Sequence, residues 1–376
     1  MSVRILHAAD LHLDAAFEGL SPEKAALRRA EFRRLPSILA DEALRLRADL
    51  LFLAGDVFDS GRVFPETAEA LRSALSRLTI PVFIAPGNHD YYSMRSPWAE
   101  TELPGNVRVF TKPELECVPL EELGVNVWGA GYTSASCPPL LRGFSVPESG
   151  LTDLLVLHAE ADRPDSPYCP VTAEELSRAG FAYAALGHVH SFGGPRRAGG
   201  CVYAWPGCCA GRGFDECGEK GALIADVSDA ATEVRFLPLG QREYRELSVR
   251  AGSDPLPAVT NALPRDAERC LYRVTLTGET EEAPDLAALA AAVSGKVFDL
   301  TLRDATYRPR PIDGSDTLRG IFLRRMRERI DAAPERDRPM LLEAMRLGLD
   351  ALDGREGPVG SSAECARISA FSPAPK

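Results

Sequence analysis

The histidines of this chain are the residues best suited to chemistry, because most of them stand beside carboxylates or an amide. Five of the six histidines lie at the ends of strand-like apolar runs. The polar residues at these and similar strand ends are Asp10, His12, Asp56, Asp59, Asn88, His89, His158, His188 and His190. Imidazole and carboxylate ligands together suit Mn²⁺, Fe or Zn²⁺ better than Ca²⁺. A carboxylate such as Asp56 can also bridge two metal ions ~3.5–4 Å apart, the spacing used to cleave phosphate esters.

These residues are far apart in the sequence, and their position at strand ends is what can bring them together in the fold. In α/β sheets, functional groups gather where strands end and loops begin. Residues i and i+2 of an extended backbone point to the same side. Asp10 and His12 can therefore face one point if the backbone stays extended there, and so can His188 and His190.

The turn "APGNHD" at residues 85–90 carries two of these polar residues, Asn88 and His89. Turn chemistry alone explains its Pro, Gly and Asn. A plain turn with a surface histidine is a sufficient account of this segment taken alone, but not of five such segments in one chain. We expect the turn to aim Asn88 at a metal and His89 at the substrate.

The elements around these residues predict a mixed α/β fold. Runs such as "ADLLFLAGD" and "PVFIAPG" are typical of strands buried on both faces. A helix is predicted from about Ser21, with Pro22 in its first turn and an interruption near Pro36. Many strands and few helices favour two packed sheets with helices outside them.

Shifts in composition divide the chain into four predicted regions. We predict a large α/β domain over residues 1–240 and a small α+β domain over residues 241–311. A helical region follows over residues 312–354, with apolar residues on one face of each helical stretch. Residues 355–376 are expected to be a disordered tail.

Composition narrows the class of protein. The chain has 376 residues, of which 45% are hydrophobic and 26% charged, as in ordinary globular proteins. No run approaches the roughly 20 apolar residues of a membrane helix, and Asp10 and His12 interrupt any N-terminal signal peptide. We therefore expect a cytoplasmic protein, away from membranes, with free thiols. The net charge of −11 disfavours a broad DNA-binding surface unless metal ions or a partner supply positive charge.

The segments "HAADLHLD", "GDVFD", "GNHD" and "GFAYAALGHVH" occur in an order that resembles the calcineurin-like metallophosphoesterases. Their forms are similar to those of the bacterial SbcD and YhaO-type DNA-repair nucleases, over about residues 3–240. The resemblance implies a four-layer α/β/β/α sandwich with a small capping domain and C-terminal helices. It also implies two divalent metal ions, with Mn²⁺ favoured and Fe or Zn²⁺ as alternatives.

The resemblance assigns roles to individual residues. By that match, one metal is held by Asp10, His12, Asp56 and His190, and the other by Asp56, Asn88, His158 and His188. His89 would lie against the scissile phosphate, and Asp59 would support the site where some relatives carry a histidine. The implied activity is that of a DNA exonuclease acting beside an SbcC-like (SMC-like) coiled-coil ATPase. The chain itself has no GxxxxGK[ST] loop for ATP.

Several alternatives stay open from the sequence. The same chemistry would serve a phosphoesterase for nucleotides or other small esters, and the protein could also work mainly by binding DNA ends or an ATPase. The oligomeric state is open, with a homodimer among the alternatives. The Arg-rich segment "LRGIFLRRMRERID" suits DNA, a partner protein or a solvated helix face. His7 is expected in the core, and Asp14 and Asp90 in supporting positions.

Overall fold

The computed structural model of the protein describes residues 2–161, 163–308 and 317–352. The chain divides into two compact units, Met1–Thr306 and Tyr307–Lys376. The predicted tail at residues 355–376 lies outside the described residues. None of the described helices combines the length and the apolarity that a membrane crossing needs.

The described residues form strands, helices and short 3₁₀ turns. The strands are β1 (Ser2–Ala8), β2 (Leu50–Leu53), β3 (Val82–Ile84), β4 (Val107–Val109), β5 (Glu116–Leu120), β6 (Val125–Gly129), β7 (Thr152–His158), β8 (Tyr183–Gly187), β9 (Arg196–Ala198), β10 (Cys201–Ala204), β11 (Gly221–Ser228), β12 (Thr232–Pro238), β13 (Tyr244–Arg250), β14 (Leu271–Glu279) and β15 (Asp299–Tyr307). The helices are α1 (Pro22–Phe32), α2 (Leu35–Leu46), α3 (Pro65–Leu75), α4 (Pro97–Glu100), α5 (Ala173–Ala179), α6 (Pro255–Ala262), α7 (Leu286–Val293), α8 (Leu318–Ala332) and α9 (Arg338–Leu352). The 3₁₀ turns are Glu121–Leu123, Ala267–Arg269 and Ser294–Lys296.

Two six-stranded sheets carry most of the first unit. The first sheet has the order β12-β11-β1-β2-β3-β4, and the second has the order β5-β6-β7-β8-β10-β9. Strands β1 to β4 pair in parallel, as do β6, β7, β8 and β10 in the second sheet. The carboxyl ends of the parallel strands therefore lie at one edge of each sheet.

Three apolar cores give the sandwich its layers. The core between the sheets contains residues of both, such as Phe52 and Phe83 from the first and Val156 from the second. A second core joins the first sheet to α1, α2 and α3. A third joins the second sheet to α5 and its neighbouring loops, through residues such as Leu176. The predicted α/β fold of two packed sheets with outer helical layers is confirmed.

The local signals for the first helices are also confirmed. The hydroxyl of Ser21 accepts a hydrogen bond from the Lys24 backbone N–H, and α1 begins at Pro22. Helix α1 ends at Phe32, and Pro36 lies in the first turn of α2. These two helices cover the sheet whose strand ends carry Asp10, Asp56 and Asn88.

A third sheet and a helical pair follow along the chain. The sheet has the order β13-β14-β15 and packs with α6 and α7 around a small core of its own, which contains Val259 and Leu289. In the second unit, α8 and α9 pack on each other, since a Cβ at Gly348 would lie 2.3 Å from the ring of Phe322. The predicted boundaries near residues 240 and 311 stay predictions, and residues 309–316 lie outside the described ones.

Candidate metal centre

Both sheets contribute to one cluster of polar side chains at the carboxyl ends of their strands. Asp10 and His12 follow β1, Asp56 and Asp59 follow β2, and Asn88 and His89 follow β3. His158 is the last residue of β7, and His188 and His190 follow β8. The two edges approach closely, because a Cβ on Gly187 would lie 1.8 Å from the carbonyl oxygen of Ala54. Only glycine fits this contact between the sheets.

Asp10 and His12 do face one point, but not through the extended backbone that was expected to align them. Strand β1 ends at Ala8, and Asp10 and His12 have left-handed φ values of 51° and 44°. His188 also departs from extended geometry, with a φ of 97°. Left-handed backbone costs roughly 1–2 kcal/mol at a residue other than glycine. The cost is offset by pairing between loops, since the N–H of His12 donates to the Asp56 carbonyl at 2.9 Å.

One group of donor atoms lies between Asp10, His12 and His190. The Nε2 atoms of His12 and His190 are 3.3 Å apart, and that of His190 is 3.5 Å from Oδ1 of Asp10. The Nε2 of His12 is also 4.0 Å from Asp10 and 3.8 Å from Asp56. Ligand atoms about 2.1 Å from a shared ion lie about 3–3.5 Å from one another. The spacing in this group is close to that of a metal site.

A neighbouring group forms around Asp56 and His158. The Nε2 of His158 lies 3.4 Å from Oδ2 of Asp56 and 3.1 Å from Oδ1 of Asn88. Donor atoms of Asp10, Asp56 and His158 all lie within 4.8 Å of one another, as do those of His12, Asp56 and His89. Asp56 thus lies between the two groups, where a bridging carboxylate would be placed.

The hydrogen-bonding roles of the rings test whether a cation fits here. The Nδ1 of His12 faces Asp59 Oδ1 at 3.1 Å, and that of His158 faces the Ala54 carbonyl at 2.9 Å. Both partners only accept, so each Nδ1 carries the hydrogen and each Nε2 presents a lone pair. The Nε2 of His158 then faces oxygen lone pairs, which repel it unless a cation or a proton lies among them. Nitrogen and oxygen donors of this kind fit a divalent transition-metal ion.

Protonation shows the same demand for positive charge. Burial lowers the pKa of His158, but the carboxylate of Asp56 outweighs it and raises that pKa to about 9. Burial likewise opposes the charged form of His190, yet hydrogen bonds to Asp10 and Glu216 raise its pKa to about 10. Protons on these two rings therefore supply positive charge at neutral pH, and a bound cation would replace them.

His89 lies at the open side of the cluster, where the backbone of Asp59 holds its ring. The Nδ1–H of His89 donates to the backbone carbonyl of Asp59 at 3.0 Å, and the His89 side chain is exposed. The Nε2 of His89 is thereby left for a ligand. The Asp59 carboxylate contacts the far side of His12 and so lies behind the donor atoms. Whether Asp59 or His89 acts in catalysis stays a prediction.

His188 occupies a different position from the other predicted ligands. Its backbone N–H donates to the Asp10 carboxylate at 3.1 Å. Its ring packs against those of His158 and Tyr168, with centroid separations of 5.2 Å and 4.8 Å. Its Nε2 lies 3.8 Å from Glu160, outside the three groups of converging donors found among the described residues. The structure thus brings His188 to the site, with a carboxylate that the sequence did not indicate beside its ring.

The buried carboxylate of Asp90 supports the turn that carries Asn88 and His89. It accepts backbone N–H groups from Val57 at 2.9 Å and Gly87 at 2.8 Å. Burial, with the nearby charge of Asp56, raises the pKa of Asp90 to about 7. A cation beside Asp56 would favour the charged, accepting form of Asp90.

The remaining weaker predictions can be placed as well. His7 is fully buried, and its Nδ1 is 2.8 Å from the hydroxyl of Tyr183. Asp14 supports the start of α3 by accepting from the hydroxyl of Thr67 at 2.6 Å. Cys208 and Cys209 are buried free thiols that belong to no donor group among the described residues.

Sequence reasoning missed Glu160 and Glu216 as members of the site. Oε1 of Glu216 lies 2.8 Å from Nδ1 of His190. This is the ring nitrogen that faces away from the metal-binding nitrogen, Nε2. Each carboxylate stands in a loop, where no periodic pattern marks it. The only signal was position, since Glu160 follows His158 by two residues and Glu216 lies in the glycine-rich loop after β10.

Comparisons with known proteins agree with this geometry. The family model described as calcineurin-like phosphoesterase matches residues 3–192. The uncharacterized metallophosphoesterase YhaO of Bacillus subtilis is 29% identical over 268 residues, which cover 66% of this chain and 62% of YhaO. The chain thus spans less than two thirds of YhaO.

Two further relatives carry names from DNA metabolism. The DNA double-strand break repair protein Mre11 of Aeropyrum pernix is 27% identical over 305 residues, which cover 73% of this chain and 70% of that protein. The SbcD component of the nuclease SbcCD of Rhodobacter capsulatus is 32% identical over 132 residues, which cover 34% of this chain and 27% of the relative.

Proposed function

The chain belongs to the calcineurin-like phosphoesterase family, and we propose that within it the protein is a two-metal-dependent DNA nuclease. The proposed reaction is phosphodiester hydrolysis, with exonuclease action in DNA repair beside an SMC-like ATPase of SbcC type. A cytoplasmic location stays a prediction from the sequence.

One observation carries the metal-dependent part of the proposal. The Nε2 atoms of His12, His190 and His158 lie 3.4–4.0 Å from the carboxylates of Asp10 and Asp56, a cluster that needs positive charge at its centre. Divalent cations at such a site lower the pKa of water and offset charge on the phosphate. Mn²⁺ suits the mixed imidazole and carboxylate donors, with Fe and Zn²⁺ as alternatives.

His89 is the residue that we propose to meet the substrate. Its Nδ1–H is fixed by the Asp59 carbonyl, which orients the ring with Nε2 outward. Its backbone N–H donates to Asp56 Oδ1 at 2.9 Å. This bond fixes the backbone of His89 beside the carboxylate that both donor groups share. From this position a protonated Nε2 would donate to a phosphate oxygen or to the leaving oxygen.

The names of the relatives support DNA as the substrate and an ATPase as the partner. The Aeropyrum protein is named for double-strand break repair, and the Rhodobacter protein is named as one component of a nuclease. Bound cations would also reduce the repulsion between DNA and a chain with a net charge of −11. These arguments favour a polymeric substrate over a small ester.

A metal-by-substrate comparison on the purified chain tests the proposal. With Mn²⁺, we expect cleavage of linear DNA and much slower hydrolysis of mononucleotides or cyclic nucleotides. His89→Gln should lower the cleavage rate by about 10²–10⁴-fold, while Arg45→Gln on the exposed surface of α2 should leave it unchanged. Faster turnover of mononucleotides than of DNA would favour the small-ester function. No turnover with any metal would favour a purely binding role.

A further inference from the structure

We propose that Arg212 is a positioning residue that sets one half of the metal centre, by holding the two carboxylates that orient His12 and His190. This inference rests on the proposed two-metal function. Arg212 lies in the loop after β10, more than 150 residues from Asp59 in the sequence, and its side chain is 22% exposed.

The first anchor of Arg212 is Glu216, four residues along the chain. Nη2 of Arg212 donates to Oε1 of Glu216 at 2.6 Å, and Nε donates to the same oxygen at 3.1 Å. The backbone N–H of Arg212 donates to Oε2 of Glu216 at 2.7 Å. Glu216 is almost fully buried, so this paired contact is shielded from water and fixes the carboxylate firmly.

The second anchor is Asp59, which lies in the loop after β2. Nη1 of Arg212 donates to Oδ1 of Asp59 at 3.1 Å. That same Oδ1 accepts from Nδ1 of His12 at 3.1 Å, and Oε1 of Glu216 lies 2.8 Å from Nδ1 of His190. One guanidinium therefore connects the outer nitrogens of both rings: it reaches His12 through Asp59, and it reaches His190 through Glu216 and by its own 3.0 Å contact between Nη2 and Nδ1. The inner Nε2 atoms of the two rings are 3.3 Å apart.

Charge explains why an arginine is needed between these carboxylates. Asp59 and Glu216 would repel each other around neutral rings, and the guanidinium offsets this repulsion. With the guanidinium between them, both carboxylates can accept the Nδ1 hydrogens of the rings, which leaves each Nε2 to face a cation.

The other half of the centre has no such dependence on Arg212. Nδ1 of His158 is fixed by the backbone carbonyl of Ala54, and Asp90 fixes the turn that bears Asn88. Removing Arg212 should therefore weaken the binding of the ion at His12 and His190 and leave the binding of the other ion unchanged.

A fully buried arginine keeps the Arg212 loop in place. Nη2 of Arg28, on α1, donates to the carbonyl oxygen of Gly211 at 2.9 Å. The Arg28 guanidinium also lies 5.5 Å and 5.1 Å from the ring centroids of Phe17 and Phe32. The backbone before Arg212 is thus fixed independently of its side chain, so a side-chain substitution should leave the loop in place.

Mn²⁺ titration of the full chain, followed by electron paramagnetic resonance of the free ion, tests the inference. Wild-type protein should bind two Mn²⁺ ions. Arg212→Gln should weaken one of the two sites by about 10–100-fold, the usual effect of losing such a support, and leave the other unchanged. Arg212→Lys should lose most of the same affinity, because an ammonium cannot bond both carboxylates in this geometry. Arg178→Gln, at an exposed arginine of α5, is the matched control.

Glu216→Gln and Asp59→Asn guard against a folding defect in the Arg212 variants. Each should weaken the same single site, and combining either with Arg212→Gln should add little. Two unchanged Mn²⁺ sites in a folded Arg212 variant would overturn the inference. So would a variant whose only defect is a raised KM, since that would mean direct contact with the substrate. A wild-type chain that binds fewer than two ions would instead overturn the proposed function.

Discussion

The carboxylate of Asp90 accepts the backbone N–H of Gly87 at 2.8 Å, and so closes the short turn that carries Asn88 and His89. The other oxygen of Asp90 accepts the N–H of Val57, which follows Asp56. A single buried side chain therefore connects the loops after β2 and β3. The geometry of the candidate site depends on this residue, although it offers no ligand atom to the donor groups.

Replacing Asp90 by asparagine should destabilise the protein and impair the site. The amide nitrogen cannot accept an N–H, so at least one buried backbone donor loses its partner, at about 1–3 kcal/mol. Urea denaturation of Asp90→Asn should show this loss, together with weaker Mn²⁺ binding. The exposed Asp165→Asn is the control, and equal stability of both variants would contradict the role given to Asp90.

Gly87→Ala should displace the shared carboxylate of Asp56. A Cβ at this position would lie 2.3 Å from Oδ1 of Asp56, so Asp56 must move. We expect both Mn²⁺ affinity and DNA cleavage to fall by about tenfold or more, in line with the loss of a ligand's orientation. Gly61→Ala adds a methyl group in open space and should match wild type. Wild-type Mn²⁺ binding by Gly87→Ala would count against Asp56 as a ligand.

His7 should give the protein a pH-dependent stability. Burial lowers the pKa of His7 to about 3, below its ordinary value of 6.5. Between these values the unfolded chain binds the proton more readily, so stability is complete above about pH 6.5 and falls as the pH falls. The slope is at most about 1.4 kcal/mol per pH unit.

A double variant isolates this contribution. His7→Leu with Tyr183→Phe removes both partners of their buried hydrogen bond. Between pH 6.5 and pH 5, the free energy of unfolding should fall by about 2 kcal/mol less in the double variant than in wild type, as the same linkage predicts. Urea denaturation at the two pH values measures this difference. Parallel curves for the two proteins would show that His7 is charged, or hydrated, in the folded state.

Mn²⁺ should stabilise the folded chain, and a chelator should reverse the effect. An ion that binds only the folded state adds about 2.7 kcal/mol per site at 100 times its dissociation constant. Thermal unfolding with Mn²⁺ and with EDTA measures the difference, and Asp56→Asn should abolish most of it. An identical Tm under both conditions would remove the basis for a metal centre at this position.

The sequence predicted the parts of the site that follow strand periodicity. Buried apolar runs located the ends of β2, β3 and β7, and hence Asp56, Asn88 and His158. The fold of two packed sheets followed from the same runs. These features are local, since each depends on a few neighbouring residues.

Contacts across long separations were beyond such reasoning. Arg212 meets Asp59 across 153 positions, and His190 meets Glu216 across two loops. The left-handed backbone at Asp10 and His12 was also missed, because it is imposed by pairing with the loop after β2 and not by local propensity. Histidine at such a φ is uncommon, so composition favoured the extended alternative.

The close approach of the two sheet edges at Gly187 and Ala54 has a consequence for the protein during its synthesis. Asp10 leaves the ribosome some 180 residues before His190 and some 200 residues before Glu216. The donor groups of the first sheet are therefore made before the second sheet is complete. The candidate metal centre can form only after both sheets have been synthesised and have packed together.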